Sequence, residues 1–454
     1  MHIYMIGICG TAMGNLALLL RQLGHQVSGS DREAFPPMSD FLIANNIRID
    51  DWKQTPIPPG TELVIVGNAV SRGQPQAEQL LREKYPMLSM PAAISRFLLP
   101  QRHVVVVAGT HGKTTTTALL AHILRHSGRD CGFLIGGLAR NLGRGAELGS
   151  DPIFVIEGDE YDSAFFDKRS KFIHYHPDTL LLNNLEFDHA DIFVDMEALR
   201  RSFRHLLAIV PDNGRIIYNA GDNELQRLVG AAFTPLTACR LGGEGATFIW
   251  QRQAGESLLK DEAGRFTLAR LWGRHNAANA MLAIAAARHL GVDDRAIAAA
   301  TASFAGVERR LQEIARWQGD VILFEDFAHH PTAIRATLTA LRQQFPNQRL
   351  VAVVEPRSNT MARGFHQDTL PQALAVADVV YLARPHRYEQ LPKEQRLDRE
   401  KVLRQVAAGG REVRHEADGA AILAALRQSS RAGDRIVIMS NGSFSGLRSE
   451  LAGQ

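Results

Sequence analysis

VVVVAGTHGKTTTT, residues 104–117, is the stretch on which the reading of this chain turns. Four consecutive valines with no polar alternation predict a strand buried on both faces of a parallel sheet. The strand breaks at Gly109-Thr110-His111-Gly112-Lys113-Thr114, and an Ala/Leu-rich helix is expected over 115–125. Strand, glycine turn, Lys-Thr and helix together make a phosphate grip. The glycines let backbone N–H groups close on phosphate oxygens, and the helix N-terminus adds partial positive charge. Lys113 is placed to neutralise β- and γ-phosphate oxygens, and the Thr114 hydroxyl to ligate Mg²⁺. The spacing is shorter than G-x-x-x-x-G-K-[ST], because Val107 sits where the first glycine would stand. An ordinary βα turn that happens to hold a lysine is the bland alternative. Two glycines, a lysine and four successive threonines argue against it.

Around that stretch lie 454 residues, enough for about three domains. The chain is 45% hydrophobic and 22% charged with a net charge of +3, and no block of like charges calls for nucleic acid. Cys9, Cys131 and Cys239 are too few and too scattered for a disulfide framework or a Cys-rich zinc site, which fits a reducing cytoplasm. The N-terminus has no basic n-region, and no apolar run reaches transmembrane length. A cytoplasmic enzyme with no membrane partner is expected.

The first third begins with a strand over 2–8, a turn punctuated by Gly7, Gly10 and Gly14, a helix over 15–22 and a strand over 26–30 ending at Asp31. This βαβ layout places an acidic residue near a nucleotide ribose. The G-x-G-x-x-G fingerprint is absent, since Cys9 and Ala12 hold its second and third glycine positions. Another nucleotide diphosphate at this turn, or no ligand at all, both stay open. A strand over 63–67 leads into Asn68-Ala69-Val70-Ser71-Arg72-Gly73, where Arg72 fits either a phosphate contact or a solvated surface position. Pro100-Gln101-Arg102 reads as a linker.

The central third adds a strand over 152–157 that delivers Glu157-Gly158-Asp159-Glu160-Tyr161-Asp162, an acidic strand end suited to Mg²⁺. A strand over 179–184 leads to Asp188-His189, where His189 is either structural or a second metal contact. Residues 241–271 read as a peripheral β-meander. Gly273-Arg274-His275-Asn276 opens a helix over 277–290, with Asn276 and Asn279 on one face of its first turn, as caps or as adenine readers. Arg309-Arg310 stands at the end of this third, where arginines reach a γ-phosphate as domains close.

The last third alternates strands over 321–324, 350–355, 379–382 and 435–439 with helices, including one over 333–343. Polar loops follow the strands: Asp326 to His330, Arg357-Ser358-Asn359-Thr360, and Ser440-Asn441-Gly442-Ser443. Residues 390–399 are charged and read as a mobile surface segment. The fold class is therefore α/β in three domains: a Rossmann-like unit over 1–102, a central P-loop unit over 103–310 and a Rossmann-like unit over 311–454.

The chain resembles the Mur ligase family, ATP-dependent amide-forming enzymes of peptidoglycan synthesis. The motifs that carry the resemblance are the 109–116 loop, the Glu157 cluster, Asp188-His189, Gly273-Arg274-His275-Asn276-Ala277-Ala278-Asn279, Arg309-Arg310 and Asp326-Phe327-Ala328-His329-His330-Pro331. They occur in family order through all three domains. Glu355-Pro356-Arg357-Ser358-Asn359-Thr360-Met361 is similar to the branch that joins UDP-N-acetylmuramate to the tripeptide L-alanyl-γ-D-glutamyl-meso-diaminopimelate, in cell-wall recycling, rather than to L-alanine alone. Ser443 and Ser445 stand where the family pattern has glycine. No lysine occurs between Lys171 and Lys260, so the carbamylated lysine of some members is expected to be absent.

The resemblance implies ATP and Mg²⁺ as cofactors and the following roles. Gly109, Thr110, His111, Gly112, Lys113, Thr114 and Thr115 hold ATP, with His275, Asn276, Arg310, Asp326 and His330. Thr114, Glu157 and His189 hold metal. Lys113, Glu157, His189 and Arg310 are catalytic. Thr11, Asp31, Asn68 and Arg72 contact the UDP-sugar, and Arg357, Ser358, Asn359 and Thr360 the peptide.

Overall fold

The computed structural model describes residues 1–36, 38–253, 255–385, 388–442 and 444–452, so Ser443 of the tail motif lies outside the described residues. Three open sheets follow one another along the chain. The first has five parallel strands in the order Arg48–Asp51, Gln26–Asp31, His2–Ile6, Leu63–Val66 and Met87–Ser89. The central sheet has seven: Leu236–Cys239, Arg215–Asn219, Thr179–Leu182, His103–Ala108, Ile153–Gly158, Gly132–Ala139 and Arg144–Glu147. Its last two strands pair antiparallel, and its other pairings are parallel. The third sheet runs Gln312–Trp317, Val321–Asp326, Arg435–Met439, Leu350–Val354, Val379–Leu382 and Glu412–Arg414, with only the first strand antiparallel.

The valine strand is central in its sheet, between Thr179–Leu182 and Ile153–Gly158. Val104 to Val107 are 0–3% exposed. Burial of each such side chain contributes roughly 1.5–3 kcal/mol, and the alternating faces of the strand feed two separate apolar cores. The helix after the turn runs over Lys113–His126, two residues earlier than its apolar pattern suggests, because Gly112 itself is the N-cap. The helix expected over 15–22 likewise begins at Thr11, and the one over 333–343 at Pro331.

The meander over 241–271 is a three-stranded antiparallel sheet, Ile249–Gln253, Glu256–Lys260 and Arg265–Leu268. Within the charged 390–399 segment, Lys393–Gln395 forms a single 3₁₀ turn, and buried Leu397 ties the segment to the last core. A short hairpin, Asp162–Ala164 with Asp167–Ser170, reaches from the central sheet so that Phe165 packs on the core of the first. Among the described residues no helix is long and apolar enough to cross a membrane.

Candidate active site

Parallel strands place their carboxyl ends on one edge of a sheet, which is where open α/β sheets bind ligands. Here the loops after Val107, Glu157 and Leu182 meet those after Asp326 and Val354 around one cleft of about 1420 Å³. Typical small-molecule pockets occupy about 300–1000 Å³, so the cleft has room for more than one ligand.

The glycine turn is built by close approach. Gly109 has φ +133°, and a Cβ there would stand 2.8 Å from the Asn184 carbonyl oxygen. Gly112 has φ +84°, and a Cβ there would run into Asn279 Oδ1. Beneath the turn, Lys113 folds back: its Nζ donates to Gly109 O at 2.7 Å and to Glu160 Oε2 at 2.6 Å. Thr114 Oγ1 donates to Glu157 Oε1 at 3.0 Å, while Gly136 N holds the other Glu157 oxygen at 2.9 Å. A hydroxyl and a fixed carboxylate side by side are hard oxygen donors and fit a Mg²⁺ ion.

Glu160 was visible in sequence only as one of four acids. In the structure it is 1% exposed and bridges two groups, with Oε2 on Lys113 and Oε1 3.0 Å from His189 Nε2. Burial would raise its pKa, but Lys113 and His189 outweigh burial and hold it below the usual carboxylate range. His189 shows the converse. Burial would lower its pKa, and the Glu160 carboxylate raises it instead. The carboxylate in hydrogen-bond contact with His189 is Glu160, which the sequence did not single out. Lys171 closes the network on Asp159 at 2.5 Å.

The Asn276/Asn279 pair does not cap its helix, and both residues line the cleft. Gly273 is the N-cap of Arg274–His289. Asn276 Nδ2 donates to Trp272 O at 3.0 Å, and Asn279 Nδ2 to Asn276 Oδ1 at 3.2 Å. Asn279 Oδ1 accepts from Asn183 Nδ2 at 3.0 Å, and the same amide group reaches Thr116 Oγ1 at 2.8 Å. This chain of amides locks the phosphate-loop helix to its neighbour. Asn183 was missed in the sequence because it falls inside the strand expected over 179–184. His275 faces the cleft beside it, and burial, with a smaller push from His111, lowers its pKa to about 4.

The last sheet contributes from the opposite wall. Arg309 and Arg310 divide their roles. Arg309 turns into its own sheet, onto Glu325 and the carbonyls of Ser440 and Gly442. Arg310 crosses to the phosphate loop, where Nη2 donates to Thr114 Oγ1 at 3.1 Å and the guanidinium lies 4.7 Å over the Phe327 ring. Asp326 accepts from Leu311 N and Ala328 N at 2.6 and 2.7 Å. His330 caps the helix Pro331–Gln344. Its ring lies 4.9 Å from that of His111, and both face Glu186, which accepts from Thr332 Oγ1 at 2.7 Å.

Of the four expected peptide contacts, Arg357, Ser358 and Asn359 line the cleft, and Glu355 stands 3.4 Å behind Arg357. Ser358 caps a short helix through Met361 N. Asn359 and Thr360 are engaged across the seam, on Asp191 and Ala190 N.

The first sheet's candidates do not line this cleft. Asp31 accepts from Cys9 N at 2.7 Å and Glu33 N at 3.0 Å, so its carboxylate shapes the glycine turn. Arg72 is paired with Glu78 at 2.9 Å, which pulls that carboxyl down to about 2. Thr11 opens its helix after Gly10, which supplies no side-chain cap, and Asn68 is exposed beyond Leu63–Val66.

Three Mur ligase domains match this chain in succession: the family's catalytic domain at residues 2–102, its middle domain at 107–287 and its glutamate ligase domain at 309–442. The chain is 43% identical to the UDP-N-acetylmuramate–L-alanyl-γ-D-glutamyl-meso-2,6-diaminoheptandioate ligase of Escherichia coli K12, over 99% of this chain and 97% of that protein. The chain belongs to the Mur ligase family. The murein peptide ligase of Psychrobacter arcticus has the same overall structure as this Mur ligase, with a TM-score of 0.73 and 37% identity over 100% and 98% of the two chains. The UDP-N-acetylmuramate–L-alanine ligase of Halorhodospira halophila is more distant, at 34% identity over 81% of this chain and 76% of that protein.

Proposed function

We propose that this Mur ligase joins UDP-N-acetylmuramate to the tripeptide L-alanyl-γ-D-glutamyl-meso-diaminopimelate, with ATP as the energy source, as the recycling branch of the family does. The carrying observation is the full-length 43% identity to the E. coli tripeptide ligase, set against 34% over a shorter span for an L-alanine ligase. We propose the division into units at residues 102 and 310, with the UDP-sugar on the first, ATP on the second and the peptide on the third.

The chemistry follows from charge. A lactyl carboxylate must attack the γ-phosphate of ATP, so two anions have to meet. The attack forms the acyl C–O–P bond and breaks the β–γ bond, and ADP leaves with the bridging oxygen. The peptide amine then attacks the acyl carbon, gives up its proton, and inorganic phosphate departs. Neutralisation dominates such a reaction. Lys113, released from Glu160, and Arg310, already at Thr114, stand where phosphate charge develops. Thr114 and Glu157 fit Mg²⁺, which would screen the β- and γ-phosphates; His189 and Glu160 form a second candidate position. His275, neutral above pH 4, is suited to an uncharged base such as adenine.

The test is phosphate release from Mg-ATP and UDP-N-acetylmuramate with either L-alanine or the tripeptide as acceptor. Release with the tripeptide alone, with the coupled product found by mass, is expected. Release with L-alanine alone would move the enzyme to the branch that adds a single amino acid.

A further inference from the structure

The loop after Thr179–Leu182 carries His189, and it is gripped from two sides. On its own side it is tied to the phosphate loop. Thr110 Oγ1 accepts from Glu186 N and donates to Glu186 O, both at 2.9 Å, and His111 Nε2 lies 3.0 Å from Glu186 Oε2. The opposite grip comes wholly from the last unit and falls on Glu186, Asp188, Ala190 and Asp191. Thr332 donates to Glu186 at 2.7 Å, and His329 Nε2 stands 3.8 Å from Asp188 Oδ2. Thr360 Oγ1 accepts from Ala190 N at 3.3 Å, and Asn359 Nδ2 donates to Asp191 Oδ2 at 3.0 Å.

Between these contacts His189 holds φ +58°, a left-handed conformation that side-chain-bearing residues avoid. Its own N–H is satisfied by Asp188 Oδ1 at 2.7 Å. On its far side, Ala190 N donates to Thr360 and the Asp191 carboxylate accepts from Asn359, both residues of the last unit. A separation of the units removes those two contacts together and leaves the left-handed residue held by its own unit alone, through Ile192 N and Phe193 N on its carbonyl and Glu160 on its ring.

We propose that Thr332, Asn359 and Thr360 form a closure clasp: they are positioning residues that steady the loop on either side of His189 when the last unit docks, rather than contacts to the peptide. The proposal rests on the ligase reading for its kinetic arm alone. The clasp makes completion of the site conditional on closure, so that ATP is not committed while the cleft stands open to water. Thr360 is 2% exposed and contributes its oxygen to the central loop, which leaves it no route to a ligand in this arrangement.

The test uses the full-length enzyme with UDP-N-acetylmuramate and a non-hydrolysable ATP analogue, and reads hydrogen exchange over residues 186–193. Thr360→Val is expected to speed exchange at the Ala190 amide at least tenfold. It should lower kcat about tenfold and leave the tripeptide KM within twofold. Asn359 and Asp191 are both exposed, so exchanging them tests the contact without risk to folding. Asn359→Asp alone should lower kcat, and Asn359→Asp with Asp191→Asn, which restores one amide facing one carboxylate, should recover it to within twofold. A tenfold rise in tripeptide KM with unchanged kcat would overturn the clasp in favour of a peptide contact. Wild-type exchange and kcat in Thr360→Val would overturn it outright. If the wild-type enzyme ligated neither acceptor, the functional reading would fall, and the exchange measurement would still decide the clasp.

Discussion

Glu160→Gln isolates the charge at the centre of the cleft while keeping the shape of the side chain. Lys113 Nζ and Glu160 Oε2 are 2.6 Å apart, with side chains 12% and 1% exposed. Removing one partner of a buried pair costs about 3–5 kcal/mol, because the other charge is left desolvated. Glutamine keeps a carbonyl acceptor against Nζ, and a hydrogen bond to a charged group is worth about 1.5–3 kcal/mol. The net loss is therefore about 2 kcal/mol. For a unit of roughly 200 residues that lowers the melting temperature by about 4–8 °C. Bound nucleotide should reverse the sign. Phosphate supplies Lys113 with a new anion, and the wild type must first break the Glu160 pair, which the variant has already lost. The variant is expected to bind ATP more tightly, by up to roughly thirtyfold for 2 kcal/mol. Scanning calorimetry with and without an ATP analogue, together with titration calorimetry, measures both effects. Equal melting temperatures, or a gap that nucleotide leaves unchanged, would refute the reasoning.

Lys113→Met should lower tripeptide-dependent phosphate release by about 10²–10³-fold, the loss expected for one donor to developing anionic charge; undiminished release would count against the assigned role. Gly112→Ala should destabilise the central unit by more than about 1 kcal/mol and weaken ATP binding, since the methyl meets Asn279 at a positive φ; chemical denaturation and titration calorimetry measure the two. Acid should weaken the fold through buried histidines. Burial holds His275 near pKa 4, helped by His111, and it holds His329 near 4 against the opposing pull of Asp188. Their folded pKa values lie below the unfolded value of about 6.5, so the stability they confer is complete above that pH and is lost as pH falls through about 4. Urea midpoints from pH 7.5 to 4 should decline, less steeply in His275→Gln, and a flat profile would contradict this.

How much of this was legible in the sequence depends on whether a residue acts through its neighbours in the chain. The phosphate turn was readable because strand, glycines, lysine and helix are consecutive. The starts of the helices at Thr11, Lys113 and Pro331 were placed late, because the first turn after a glycine or a cap carries polar residues that break the apolar period. Asp31 has the position of a ribose ligand, and the bonds its two oxygens accept from Cys9 N and Glu33 N are set by the turn's geometry, which the sequence does not show. Glu160 pairs with Lys113 across 47 positions and with His189 across 29, and nothing local separates it from Asp159 or Asp162. Asn359 and Thr360 carry the polar character of a ligand loop, and their docking on Asp191 and Ala190 depends on how two units meet.

The cleft's charges explain why that meeting matters. In the structure Lys113 is satisfied by Glu160 and Lys171 by Asp159, so the central unit on its own is electrostatically settled around its phosphate loop. Triphosphate binding is then an exchange, in which a phosphate oxygen displaces a carboxylate from Lys113, and an exchange of buried partners gains less than the raw attraction between a lysine and a phosphate. Arg310 makes no ion pair among the described residues; it rests on the Thr114 hydroxyl and the Phe327 ring. Its charge is available to an incoming anion without displacing a carboxylate. It follows Val307, whose bridge to Ala139 is the last backbone pairing with the central sheet before the third sheet begins at Gln312. The cation with the most to offer the transferring phosphate is thus placed at the junction between the units. Its stacking on the Phe327 ring depends on the docking of the last unit.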